Sequence, residues 1–303
     1  MDNSEQIKEV LTDIGYDLRD YGREYRARPI YRDSDNNTVL RIKKDTGRWV
    51  DFKEGMSGSL EELVKLSLDL SNIDDAKKYL KNRVSLSSTT VKKPPIIEKK
   101  TLSKDFLNKL IKNNFYWNQR GVLDETLEIF GGGVCEAGKM IGRYVFPIFD
   151  SKKRLVGVSG RDVYENSSSN RPKWKHLGNK YSWKYPLQVN NDILNEEKKV
   201  ILVESIGDML SLWGAGVKNT MVTFGLDVSA AILNSLLRLD PKEVIISFNN
   251  DEGNNLAGNK ASEKAKKKLL FHFDEKQIKI ALPDKKDFGE MSAEEINLWR
   301  KNI

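Results

Sequence analysis

Between Lys199 and Leu282 the chain alternates short apolar runs with stretches of helical spacing, and this rhythm constrains the fold more than any other feature. Val200–Val203, Thr220–Phe224, Val244–Phe248 and Ile278–Leu282 read as buried strands. Asp208–Gly214, Ser229–Arg238 and Asn259–Leu270 read as the helices between them. Strands that alternate with helices predict a parallel sheet covered by helices, because a parallel connection must cross back over the sheet. The expected fold class is therefore α/β, with α+β parts ahead of it.

Those earlier parts have other patterns. Ile7, Val10, Leu11 and Ile14 place a short amphipathic helix within residues 1–20. Thr38–Lys43 and Arg48–Phe52 read as strands joined by Lys44-Asp45-Thr46-Gly47, which is hairpin chemistry. Ser59 followed by Glu62 predicts a capping box on a helix that carries Leu60, Leu63, Val64 and Leu66. A second helix is expected over Ile73–Val84. Residues 85–103 turn Ser/Thr-rich and then Lys/Pro-rich, and read as a linker. Leu102–Lys112 and Leu123–Ile129 read as helices. Val145–Phe149 and Leu155–Gly160 are expected as a hairpin closed by Asp150-Ser151-Lys152-Lys153, and Tyr164–Asn170 as a loop. The implied division is 1–84, linker 85–103, 104–197 and 198–303.

Composition excludes several functions. No stretch approaches the ~20 apolar residues of a membrane span. The first 25 residues carry charge throughout, so no secretory signal is expected and a cytoplasmic location is. A single cysteine, Cys135, excludes an internal disulfide and a cysteine-based zinc site, and it reads as a small buried residue. With only His176 and His272, a histidine-rich metal site is equally excluded; His176 reads as a surface histidine among basic residues. The 51 Lys+Arg against 44 Asp+Glu give +7, which favours an anionic partner such as nucleic acid or nucleotide.

In open α/β sheets ligands bind beyond the carboxyl ends of the strands. The first of these strands ends in Glu204, with Asp208 four residues on. The third ends in Asn249-Asn250-Asp251, and the last is followed by Asp284 and Asp287. Three strands thus deliver acids to one edge, which suits a hard divalent cation held by carboxylates and substrate phosphates.

The same residues carry a resemblance. Val203-Glu204-Ser205-Ile206-Gly207-Asp208, Thr223-Phe224-Gly225, Ser247–Asp251 with Gly258–Ala261, and Lys286–Glu290 resemble the motifs of a TOPRIM domain. Gly142–Asp150, Val156–Arg161, Pro172-Lys173-Trp174 and Trp183-Lys184 resemble the core of DnaG-type primases. Residues 25–66 resemble, more distantly, the zinc ribbon that precedes that core, but contain no Cys or His. The resemblance thus implies a Rossmann-like TOPRIM sheet preceded by a basic subdomain and a degenerate zinc-ribbon-like domain without zinc.

It also implies template-directed joining of ribonucleoside triphosphates on single-stranded DNA with two Mg²⁺ or Mn²⁺ ions. Glu204, Asp208, Asp251 and Asp287 would be catalytic; Glu204, Asn249, Asp251 and Asp287 would hold metal. Arg143, Arg161, Lys173 and Lys184 would hold phosphates. Asn249 stands where the family has the first Asp of its Asp-x-Asp motif, which removes a charge. The family's helicase-binding domain has no counterpart after residue 303, so a phage-type enzyme is expected, with a replicative helicase as a further implied partner. A TOPRIM nuclease or nickase, and a non-catalytic nucleic-acid-binding relative, are the alternatives. Gly133–Lys139 has P-loop spacing, but Met140 replaces the magnesium-binding hydroxyl and a strand follows, so the Gly131–Gly133 run is read as a turn.

Overall fold

The computed structural model describes residues 3–81, 83–84, 101–164, 171–252 and 256–303. Residues 85–100 of the expected 85–103 linker and 165–170 of the expected 164–170 loop lie outside these. The chain forms two compact units. One comprises the described residues of Met1–Ile96 with Asn234–Glu243 and Lys267–Ile278; the other comprises Ile97–Leu233, Val244–Lys266 and Lys279–Ile303.

The first unit begins with α1 (Asn3–Asp13), which buries Ile7, Val10 and Leu11 as the spacing predicts. An antiparallel meander follows: β1 (Arg19–Tyr21), β2 (Glu24–Ala27), β3 (Leu40–Lys43), β4 (Trp49–Asp51) and β5 (Met56–Gly58). The hairpin between β3 and β4 turns on Gly47, whose φ of +65° favours glycine and whose missing Cβ would lie 2.8 Å from that of Leu60. Ser59 and Glu62 form the expected capping box on α2 (Leu60–Ser67). The Trp49 indole ties β4 to that cap by donating to the Ser59 carbonyl at 2.9 Å. Asn72 caps α3 (Ile73–Leu80). Leu40, Ile42, Leu60, Leu63 and Val64 are fully buried in the core between sheet and helices.

The second unit carries two four-stranded sheets. After α4 (Phe115–Asn118) and α5 (Asp124–Phe130) come β6 (Gly133–Cys135), β7 (Arg143–Phe149), β8 (Leu155–Asp162) and β9 (Trp174–Gly178). These pair antiparallel in that order. Cys135 is buried and Gly133–Cys135 is a strand, so the P-loop spacing has no P-loop geometry. Leu102–Lys112 is not the expected helix. Leu102 donates to the Leu155 carbonyl and Ile111 bridges Val134, so sheet pairing holds both ends and leaves only a 3₁₀ turn at Lys104–Lys109.

Then α6 (Leu187–Glu197) leads into β10 (Lys199–Val203), α7 (Ile206–Gly214), β11 (Thr220–Val222), α8 (Ala230–Leu239), β12 (Glu243–Ile246), α9 (Ala257–Leu269), β13 (Ile278–Ile280) and α10 (Ala293–Lys301). The strand order is β11-β10-β12-β13, with β10 and β11 parallel. This is the α/β sheet that the alternating pattern predicts. Buried Val203, Met209, Leu210 and Ile245 join it to its helices. No helix of the described residues is long and apolar enough to cross a membrane.

Candidate active site

A cleft of about 500 Å³ opens in the second unit. Glu204, Asp208, Asn249 and Asp287 line it together with Arg161, Lys173 and Lys286. The acids arrive there because β10, β12 and β13 all finish at this edge. Glu204 directly follows β10 and is half-buried. Burial raises its proton affinity, and the negative charges of Asp251 and Asp287 raise it further against the pull of Lys180. Asp287 caps the short turn Phe288–Glu290 by accepting from the Glu290 N–H at 3.1 Å.

Asp251 is held by close backbone packing. The Gly258 N–H donates to its Oδ2 at 2.9 Å, and a Cβ on Gly258 would lie 2.0 Å from the Asn249 carbonyl oxygen. Only glycine lets the start of α9 come this near. Asn250 ties the loops together: its N–H donates to the Lys286 carbonyl, and its amide donates to Pro283.

Asp208 does a different job. It is almost fully buried at 4% exposure, and its Oδ2 accepts from the Ser205 N–H at 3.0 Å and hydroxyl at 2.8 Å. With the reciprocal bond from the Asp208 N–H this is a capping box that starts α7 just after Glu204. Burial pushes its pKa up to about 7, opposed by the Ser205 bond and assisted by Asp287 and Glu204.

The wall that carries the cations is aromatic. Arg161 Nε donates to the Tyr116 hydroxyl at 2.6 Å, and its guanidinium stands 5.7 Å from the Tyr116 ring and 5.9 Å from that of Trp174. Arg120 packs over Tyr116 at 3.8 Å.

Residues 201–292 match the family model described as Toprim-like. Over 126 residues the chain is 31% identical to the DNA primase of Helicobacter pylori, a match covering 41% of this chain and 22% of that relative. A solved structure of the zinc-binding and RNA polymerase domains of Aquifex aeolicus primase superposes with TM-score 0.52 at 19% identity, covering 100% of this chain and 85% of that one. The RNA polymerase domain of Mycobacterium tuberculosis primase DnaG, solved with a double-stranded DNA oligomer bearing a 6-nucleotide overhang, gives 0.53 at 18% identity over 65% and 76% of the two chains. The fold is that of a DnaG-type primase core.

Within this fold the expected phosphate contacts separate. Arg161 and Lys173 line the cleft. Arg143 is 2% exposed, and its guanidinium donates to the carbonyls of Gly160, Pro172 and Lys173. It therefore positions the strand that carries Arg161 and the segment that carries Lys173, and is not itself open to phosphate. Lys184 is half-buried and does not line the cleft. Lys180, which the motif reading passed over, donates to the Phe224 carbonyl at 2.9 Å and acts electrostatically on Glu204. Its signal in the sequence was slight, one lysine among several in a polar stretch. His176 is half-buried rather than fully at the surface: it packs edge-on against Trp183 and Phe224, and burial lowers its pKa to about 4, helped by Lys180 and Arg143.

Proposed function

We propose that this chain is a DNA primase, joining ribonucleotides on a single-stranded DNA template. The observation that carries this reading is the convergence of Glu204, Asn249 and Asp287 from separate strand ends on one cleft with Arg161 and Lys173, within a primase-core fold. A 3′-hydroxyl attacks the α-phosphate of a ribonucleoside triphosphate, and pyrophosphate leaves. Arg161 offers a planar fork to phosphate oxygens and Lys173 a point charge. Burial and the neighbouring acids suit Glu204 to take up the proton that the attacking hydroxyl releases.

The donor set fits a hard divalent cation. The negative charges of Asp251 and Asp287 both act on Glu204, and a cation would relieve that repulsion. Among the described residues no group of three His, Cys, Asp or Glu is placed to hold a metal ion. Mg²⁺ commonly takes one or two carboxylates and completes its shell with water and substrate phosphates. Glu204, Asn249, Asp251 and Asp287 would hold the ions, with Asp208 setting the turn behind Glu204. Bound there, two divalent ions would stabilise the attacking and leaving oxygens.

The aligned stretch spans about a fifth of the Helicobacter pylori relative, so activity, substrates and a replicative helicase as partner all belong to this proposal. One assay tests it: purified chain, single-stranded template, ribonucleotides and Mg²⁺ or Mn²⁺. New oligoribonucleotides are expected. Cut template would point to a TOPRIM nuclease, and binding alone to a non-catalytic relative.

A further inference from the structure

The cleft has a feature that phosphate and metal chemistry leave unused. Opposite charges would suffice to hold a triphosphate, yet Tyr116, Trp117 and Trp174 also line this space. Tyr116 and Trp117 are buried, at 7% and 4%, and belong to the core. Trp174 differs: it is half-buried, so part of its ring remains open in the cleft. Its orientation is fixed from several sides. Trp117 lies beside it with centroids 6.2 Å apart and planes 34° apart. Arg161 stands 5.9 Å from its ring and is itself held by Tyr116. Gly207, on the first turn of α7, presents no side chain, and a Cβ there would come within 3.8 Å of both indoles.

A rigid, part-exposed indole beside a guanidinium, next to phosphate-binding cations, is the chemistry of a base-stacking platform. Every nucleobase has a π-face, so stacking tolerates sequence, and arginine adds cation–π attraction. The volume, about 500 Å³, is in the range of a small-ligand site rather than of an extended strand groove.

We propose that Trp174, braced by Trp117 and by the Arg161–Tyr116 pair, stacks on the base of the nucleotide whose phosphates meet Lys173 and Arg161. The occupant is a ribonucleoside triphosphate, and Trp174 is a binding residue that sets where its sugar and α-phosphate lie. This rests on the nucleotide-joining reading for the identity of the ligand, but not for the existence of the platform.

Calorimetric titration of the full chain in Mg²⁺ tests it with three probes: ATP, inorganic tripolyphosphate and a short oligodeoxythymidylate. Trp174→Ala should weaken ATP about tenfold, the loss of one base stack, and leave tripolyphosphate unchanged. Trp174→Phe should restore ATP binding to within about twofold, since a ring is kept. Unchanged tripolyphosphate binding also shows that the alanine variant is folded. Equal effects on ATP and tripolyphosphate, no effect on either, or no ATP binding by the unmodified chain would overturn the platform. A loss confined to the oligodeoxythymidylate would overturn the assignment to the incoming nucleotide and give the ring to the template. If ATP binds in this base-dependent way but no primer is made, the platform stands and the primase reading falls.

Discussion

Arg32 grips Asp51 with two bonds, Nε to Oδ2 and Nη2 to Oδ1, each 2.8 Å long. Asp51 is fully buried, and the Tyr31 hydroxyl and the backbone N–H groups of Lys53 and Glu54 also donate to it. Burial alone would raise its pKa; the bonds from Arg32 and Tyr31 outweigh that and hold it below the usual carboxylate range. This fork closes the loop after β4 in a domain whose stretch from Tyr25 to Leu66 has no Cys or His. Asp51→Asn takes the bidentate carboxylate from the half-buried Arg32 guanidinium and leaves it, among the described residues, only Glu54 at 3.8 Å, so it should cost about 1.5–3 kcal/mol in urea unfolding, the worth of a hydrogen bond to a charged group. Metal chelation should leave the unfolding midpoint unchanged, and elemental analysis should find no stoichiometric zinc. A chelator-induced drop would show a metal in this unit.

Acid should weaken the first unit through His272. Its Nδ1 faces Arg26 Nη1 at 2.6 Å and Arg41 Nη2 at 2.7 Å, so it accepts from the arginines as a neutral ring. Burial lowers its pKa to about 3, and Arg26, Arg41 and Lys268 add to the shift. Between about pH 3 and 6.5 the unfolded chain therefore binds more protons here than the folded one. Stability from this group is complete above about 6.5 and falls as pH drops toward 3. Asp51, with its lowered pKa, adds a loss of the same sign at the acid end. His272→Asn keeps an acceptor that does not titrate here, so its melting temperature should depend less on pH between 5 and 7 than that of the unmodified chain.

The three kinds of basic residue should behave differently under mutation. Arg161→Ala or Lys173→Ala should weaken template or nucleotide binding by about 1.5–3 kcal/mol, the worth of a hydrogen bond to a charged group, and reduce the steepness of binding against salt. Arg143→Ala removes the three hydrogen bonds by which its buried guanidinium ties Gly160 to the Pro172–Lys173 segment, and should instead lower the melting temperature. Lys180→Ala should impair synthesis more than Lys184→Ala, because Lys180 is the cation that acts on Glu204. Equal losses from Lys180 and Lys184, or an Arg143 variant of unchanged stability, would reverse these assignments.

Glu204→Gln removes the carboxylate but keeps its size. Synthesis should fall below detection while template binding and the melting temperature stay within error of the unmodified chain. If the Glu204→Gln variant still makes primers, Glu204 takes no part in the chemistry.

What could be read in advance follows from how local each signal is. The α/β half was legible because its strands are continuous apolar runs; the capping box of Ser205 with Asp208, which starts α7 two residues before the expected Asp208, was not read. The strands β1, β2 and β5 were not legible, since strands of three or four residues rich in Arg, Asp, Glu and Ser carry no clear period. The helix expected at Leu102–Lys112 failed because pairing with Leu155 and Val134, distant in sequence, overrode local spacing. Arg143 was indistinguishable from a phosphate ligand by residue type alone; only its burial among carbonyls separates it from Arg161. His272 was equally unreadable, because its partners Arg26 and Arg41 lie more than 200 residues away. That Glu204 and Asp287 would meet at one cleft was readable, because ligands lie beyond the carboxyl ends of such strands; Asp251 and Asp284 do not line it.

Asn249 offers the sharpest test of how the acid edge works. It lines the cleft, while Asp251 behind it has one carboxylate oxygen tied to the Gly258 N–H. An amide oxygen can ligate a hard cation, but it brings no charge, so the site attracts metal less than two acids would. Asn249→Asp should therefore lower the Mg²⁺ concentration that gives half-maximal synthesis. Gly258→Ala provides the control on geometry: a Cβ 2.0 Å from the Asn249 carbonyl must displace that loop, so synthesis should fall even though no ligand is lost. If Asn249→Asp leaves the metal dependence unchanged, Asn249 does not touch metal. If it switches on synthesis in an otherwise inert chain, the natural protein binds nucleic acid without copying it.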